Sequence, residues 1–104
     1  MKKVKTPEEA IDFQQIINIG PAMANDFLRI GLECPQELVG RDPAVLYEQI
    51  CKATKTFHDP CVLDVMMATV AFMNGGKPKK WWDFTAARKR KYQEVVARMR
   101  KAYA

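Results

Sequence analysis

Cys51, His58 and Cys61 fall within the run CKATKTFHDPC and are the side chains with the widest chemical repertoire in this chain. Three chemistries compete for them. With Cys34 as a fourth ligand they would form a zinc site, although the close Cys-x-x-Cys pair usual in such sites is missing. Cys61 falls in the first turn of an expected helix beside His58, which favours a nucleophilic thiolate. In the third reading the cysteines are small buried hydrophobes and His58 satisfies a backbone group near the helix cap. The spacing favours the third. No metal, no cofactor and no enzymatic activity is therefore expected.

A second kind of chemistry, the holding of phosphate, is suggested by Asn18, Ile19, Gly20, Pro21 and Ala22. Thr6, Pro7 and Glu9 carry the capping pattern of a helix start, and Ala10, Phe13, Ile16 and Ile17 then fall on one helical face. Asn18 and Gly20 tolerate positive φ, so the chain can reverse there. Pro21 suits the first position of a second helix, which continues the apolar stripe through Met23, Phe27 and Ile30 and stops at Gly31-Leu32. A helix that begins behind a glycine leaves free N–H donors and a positive dipole end facing outward. The stretch over residues 8–32 resembles a helix-hairpin-helix motif. Ile19-Gly20, the small Ala24, Phe27 and Ile30-Gly31-Leu32 match that pattern. Asn18 stands where a first glycine is usual, and Ala22 and Met23 stand where DNA-binding versions often carry Lys or Thr. Arg29 is the only basic residue between Phe13 and Leu32.

The charge has to come from elsewhere. The 104-residue chain carries a net +5, but residues 1–76 hold seven Lys and Arg against ten Asp and Glu, whereas residues 77–104 hold ten against two. A basic segment on a slightly acidic body suits a polyanion such as nucleic acid, or serves only as a solvated face. Lys77, Lys79 and Lys80 precede Trp81 and Trp82. Aromatic rings among cations can stack on unpaired bases, or can pin a linker to the core with one ring buried and the other exposed. Arg90 and Lys91 add charge on the helix after the linker.

These residues must be positioned by helices, because no stretch alternates as a strand would. The expectation is an all-α single domain, residues 1–104, of five to six helices. A short turn opens at Pro35. Asp42-Pro43 and Asp59-Pro60 repeat one cap. The helix after the first turns Leu46, Tyr47, Ile50 and Cys51 inward. The helix from Cys61 to Asn74 is apolar on nearly every side, as a central core helix is. Asn74-Gly75-Gly76 stops it. Thr85 is expected to cap a long basic helix over residues 85–103, with Tyr92, Val95, Val96, Met99 and Tyr103 as its buried stripe. Arg88 falls near that stripe and either calls for a carboxylate, for which Asp64, the one charge of the core helix, is the candidate, or lies just past the body and stays wet. The start MKKVKTPEEA lacks the apolar run of a signal peptide, and no apolar run is long enough to span a bilayer. A cytoplasmic location without membrane contact is expected, with reduced thiols.

The chain resembles a small bacterial family labelled "pathogenicity locus" or mitomycin-resistance-like. The matching pieces are NIGPAMA (18–24), DPAVLYEQIC (42–51), HDPCVLDV (58–65), the NGG stop followed by Trp81-Trp82, and Thr85 and Arg88. The resemblance implies an all-helical domain with one hairpin motif and no particular reaction. Two functions are expected from these readings. The first is non-sequence-specific binding of nucleic acid, DNA above all, through the hairpin loop and the basic C-terminal segment. The alternative is a protein-interaction adaptor in which the hairpin is a structural corner.

Overall fold

Proline and aspartate punctuate the chain, and the helices begin where they stand. A computed structural model describes residues 1–104. It contains α1 (Pro21–Arg29), α2 (Pro43–Thr54), α3 (Cys61–Met73), α4 (Thr85–Lys91) and α5 (Gln93–Tyr103), with single 3-10 turns at Pro7–Glu9, Phe13–Gln15, Pro35–Leu38 and Trp81–Phe84 and no strand. Asp42 accepts the Ala44 N–H at 2.9 Å and Asp59 the Cys61 N–H at 2.8 Å, the same side-chain bond two residues on, although Asp42 is the cap residue of α2 and Asp59 stands one residue before the Pro60 cap of α3. Each satisfies one of the donors that a helix start leaves free.

The all-α reading holds, and α3 is the axis of the molecule. Its side chains from Leu63 to Val70, with Phe72 and Met73, are buried. Helices α2 and α4 and the turns at Pro35–Leu38 and Trp81–Phe84 pack around it, while α5 lies on α2. A Cα radius of gyration of 12.9 Å fits one compact body of this length. The Asn74-Gly75-Gly76 stop also works as a joint. Gly75 takes φ +103, and a Cβ on Gly76 would meet the Ala71 carbonyl oxygen at 2.7 Å. Asn74 Oδ1 accepts the Gly40 N–H at 2.8 Å, tying the end of α3 to the Pro35–Leu38 turn.

Three expectations fail. The first arm of the hairpin is not an α-helix but two 3-10 turns. Glu9 accepts from the Thr6 hydroxyl and N–H, as a capping box would, yet only one turn forms behind it. Asp12 then starts a second turn by accepting the Gln14 N–H at 2.8 Å, while Gln15 Oε1 holds the N–H groups of Ile11 and Asp12. The buried residues are Ala10, Phe13, Ile16 and Ile19 rather than Ile17. Their spacing of three is the period of a 3-10 helix, whose side chains at i and i+3 eclipse.

The long helix over residues 85–103 is likewise two helices, broken at Tyr92 (φ −123, ψ 24). Neither proline nor glycine causes the break. Arg88 of α4 is held on α3, whereas Val95, Val96 and Met99 of α5 are buried against the body over α2, and one straight helix does not serve both. Thr85 does not cap α4; its hydroxyl turns to Asp64.

Candidate functional site

The hairpin closes on Asn18, which takes the left-handed conformation at φ +73. Asparagine tolerates that region better than other side chains. Gly20 does not use its freedom: it is extended (φ −103, ψ −172), and nothing lies within 4 Å of where a Cβ would sit. Neither torsion nor packing requires glycine there. Pro21 opens α1, and the first N–H of the helix with a partner is that of Ala24, on Gly20 O at 3.0 Å. The N–H groups of Gly20, Ala22 and Met23 have no partner within the protein. Ile19 is wholly buried, so it anchors the loop rather than presenting a side chain. At the far end Leu32 folds back on α1 with its N–H on Phe27 O at 3.0 Å, and Phe13 packs on Phe27 with ring centroids 5.0 Å apart.

The basic segment reaches this loop. Asn18 Nδ2 donates to Lys79 O at 2.9 Å, across 61 positions of sequence. The backbone at Lys79 is therefore held against Asn18, two residues before Gly20, and Lys77, Lys79 and Lys80 of that linker are exposed. A further cation, absent from the sequence-derived set, completes the cluster. Lys3 Nζ donates to Ile19 O at 2.5 Å and to Gln14 O at 2.7 Å, and the segment behind it is pinned by Val4 N–H on Gln15 O. Burial against the hairpin, and then the charge of Lys80, push the Lys3 amine below the ordinary lysine range. The signal was present in MKKVK, whose three lysines stand apart from any acid until Glu8.

Trp81 is partly buried against the core, and Trp82 is 57% exposed. The two rings meet edge to face at 5.5 Å, with Lys80 Nζ 5.9 Å from the Trp82 centroid. One ring thus pins the linker and the other faces solvent. Arg90 and Lys91 are exposed on α4, which packs on α3 and α5, and no hydrogen bond or ion pair joins them to the hairpin.

Around Cys51, His58 and Cys61 the groups serve one another. Cys51 is wholly buried. The Tyr47 hydroxyl donates to His58 O at 2.6 Å, and the Thr54 hydroxyl lies 2.8 Å from His58 Nε2. The Asp59 carboxylate beside the thiol, and then partial burial, push Cys61 above the ordinary thiol range, against the thiolate that nucleophilic work needs. No three His, Cys, Asp or Glu side chains converge on a point where a metal ion would fit. Asp64 and Arg88 do meet. Arg88 Nε donates to Asp64 Oδ1 at 2.8 Å and the Thr85 hydroxyl to Oδ2 at 2.7 Å, with Asp64 fully buried. No helix is long and apolar enough to cross a membrane.

The model of a family described as "Pathogenicity locus" (Cdd1) matches residues 6–90, which carry the hairpin, both Asp-Pro caps, the buried Asp64 and its partner Arg88. The chain belongs to the pathogenicity locus family. It is also 36% identical over 85 residues to a mitomycin resistance protein, McrB, of Streptomyces lavendulae, spanning 82% of this chain and 81% of that one. No solved structure matches the chain. Of the cationic groups, the pathogenicity locus match takes in the Lys77–Lys80 linker and stops at Arg90, leaving Lys3, Lys91 and all of α5 outside.

Proposed function

We propose that this protein binds nucleic acid, DNA above all, through its phosphates and without reading sequence. The observation that carries the reading is the hydrogen bond from Asn18 to Lys79. It sets a basic linker beside the helix end whose N–H groups are free. The two features that attract phosphate, free N–H donors and exposed cations, can then act on one backbone together. Lys3 and Lys80 stand close enough to repel, a cost that an anion between them removes. Gly20 fits the same reading: open space where a side chain would stand lets a phosphate approach the backbone. Trp82 adds a ring on which an unpaired base can stack. The hairpin acts here as a helix-hairpin-helix element whose first arm is shortened to 3-10 turns. Arg90 and Lys91 would contribute only long-range charge.

Binding of this kind is strongly salt-dependent, because each neutralised phosphate releases counterions. Fluorescence polarisation with labelled single-stranded, duplex and branched DNA, and with RNA, between low and physiological salt is the test. The parent protein binds at low salt with a steep negative slope. The double variant Lys79→Gln, Lys80→Gln lowers that slope by about 2. Gly20→Ala keeps the fold, at a cost of no more than about 1 kcal/mol, and weakens binding. No binding to any of these at low salt contradicts the proposal.

A protein-interaction role draws on a different observation. Ile11 and Leu28, 84% and 56% exposed, line one hollow of about 260 Å³ on the flank of the hairpin. An apolar partner would cover that hollow, and the hairpin would then be its frame. Duplex DNA competes with such a partner only if the two surfaces overlap.

A further inference from the structure

A groove between the start of α3 and helices α4 and α5 encloses about 410 Å³ and is separate from the hairpin. Three cations line it: Arg88, Lys89 and Arg100. Arg88 is the unusual one. Its side chain is only 11% exposed, and its Nε is fixed on the fully buried Asp64, whose second oxygen is taken by Thr85. The two terminal nitrogens of the guanidinium have no partner in the protein. The result is a guanidinium held rigid from behind with its donors free in front, an arrangement suited to a tetrahedral oxyanion.

Stability does not explain this device. A buried ion pair loses much of its Coulomb energy to desolvation, and apolar side chains of the same size hold helices together equally well or better. The rim reinforces the point. Arg100 sits over the Phe57 ring at 5.1 Å, which positions its charge, and Lys89 is exposed beside it. No carboxylate lines the groove. Asp59, just outside, feels the charge of Arg88 but commits its Oδ1 to the Cys61 N–H. Gln93 offers an amide, and Pro60, Val96 and Ala97 supply an apolar wall.

We propose that this groove binds a phosphate monoester, with the dianion on Arg88, Lys89 and Arg100 and the organic group against Pro60 and Val96. Arg88 brings directed donors, its charge being met by Asp64, while Lys89 and Arg100 bring two further positive charges, which suit a dianion better than a single carboxylate; the apolar wall favours an ester over bare phosphate. The ester is either a free small molecule or the phosphorylated end of an oligonucleotide.

The experiment is a titration of the intact protein followed by NMR at the Arg88 Nε–Hε and Gln93 side-chain amide signals. Phenyl phosphate shifts both saturably and at lower concentration than inorganic phosphate. Lys89→Gln with Arg100→Gln, which leaves the buried pair untouched, weakens phenyl phosphate by at least about tenfold. An oligonucleotide with a 5′-phosphate that moves these signals where its 5′-hydroxyl counterpart does not places the ester on a nucleic-acid end; equal behaviour of the two places it on a small molecule. The absence of a saturable shift up to about 10 mM phenyl phosphate, or unchanged binding by the double variant, overturns the proposal. Neither result bears on the hairpin, whose residues lie outside the groove.

Discussion

Asp64 is fully buried on a helix that is otherwise almost wholly apolar, so its charge depends on one guanidinium and one hydroxyl. The pair of Asp64 with Arg88 was partly legible in the sequence. Asp64 is the one charge in the core helix, and Arg88 falls near the apolar stripe of a basic helix, which left a pair with Asp64 or a wet position as the two choices. That Thr85 would join them was not legible, because a threonine at a helix start reads as a cap. Arg88→Met leaves an uncompensated buried carboxylate and lowers stability in urea denaturation by about 3–5 kcal/mol. Replacing Asp64 by Leu at the same time recovers most of that loss. Thr69 gives the opposite case. Its hydroxyl is buried without any partner, so Thr69→Val, which keeps the shape, raises the unfolding free energy by about 1–3 kcal/mol in the same assay.

Among the elements, the caps were readable in the sequence, but the length and regularity of the helices behind them were not. Asp42-Pro43, Asp59-Pro60 and Asn74-Gly75-Gly76 start or stop helices where they stand, since each acts through local bonds. The arm before the hairpin misleads because Asp12 competes as a second cap close behind the first. The break at Tyr92 has no local cause at all; it arises from where Arg88 and Val95 must go. Two short turns carry a pH signature. The Thr6 hydroxyl and N–H hold the Glu9 carboxyl below its usual range, and the Glu33 and Cys34 N–H groups, at 2.6 and 3.1 Å, do so for Glu37. The folded state therefore binds these protons less readily than the unfolded chain. The stabilisation is complete above the unfolded carboxylate value of about 4 and is lost as the pH falls through the folded values. Denaturation midpoints between about pH 5 and pH 3 fall less steeply in the Glu9→Gln, Glu37→Gln variant than in the parent.

Over the whole molecule, charge is segregated by sequence but brought together by folding. The acidic first three-quarters and the basic last quarter were plain from the residue counts, and the turn at Asn18 with a helix starting at Pro21 was plain from NIGPAMA. What the sequence did not show was that Asn18, besides turning the chain, would also hold the linker at Lys79, or that Lys3 would close the cluster. Both contacts span too many residues for any local pattern to carry. They turn a hairpin with almost no charge of its own into a candidate phosphate site. The most direct measurement is a backbone amide NMR titration with a short DNA duplex at low salt. Coincident, saturable shifts of the Gly20, Ala22 and Met23 amides with those of Lys79 and Lys80, removed by added salt, are the predicted result. Binding that leaves the Gly20, Ala22 and Met23 amides unmoved would contradict a phosphate site built on the hairpin.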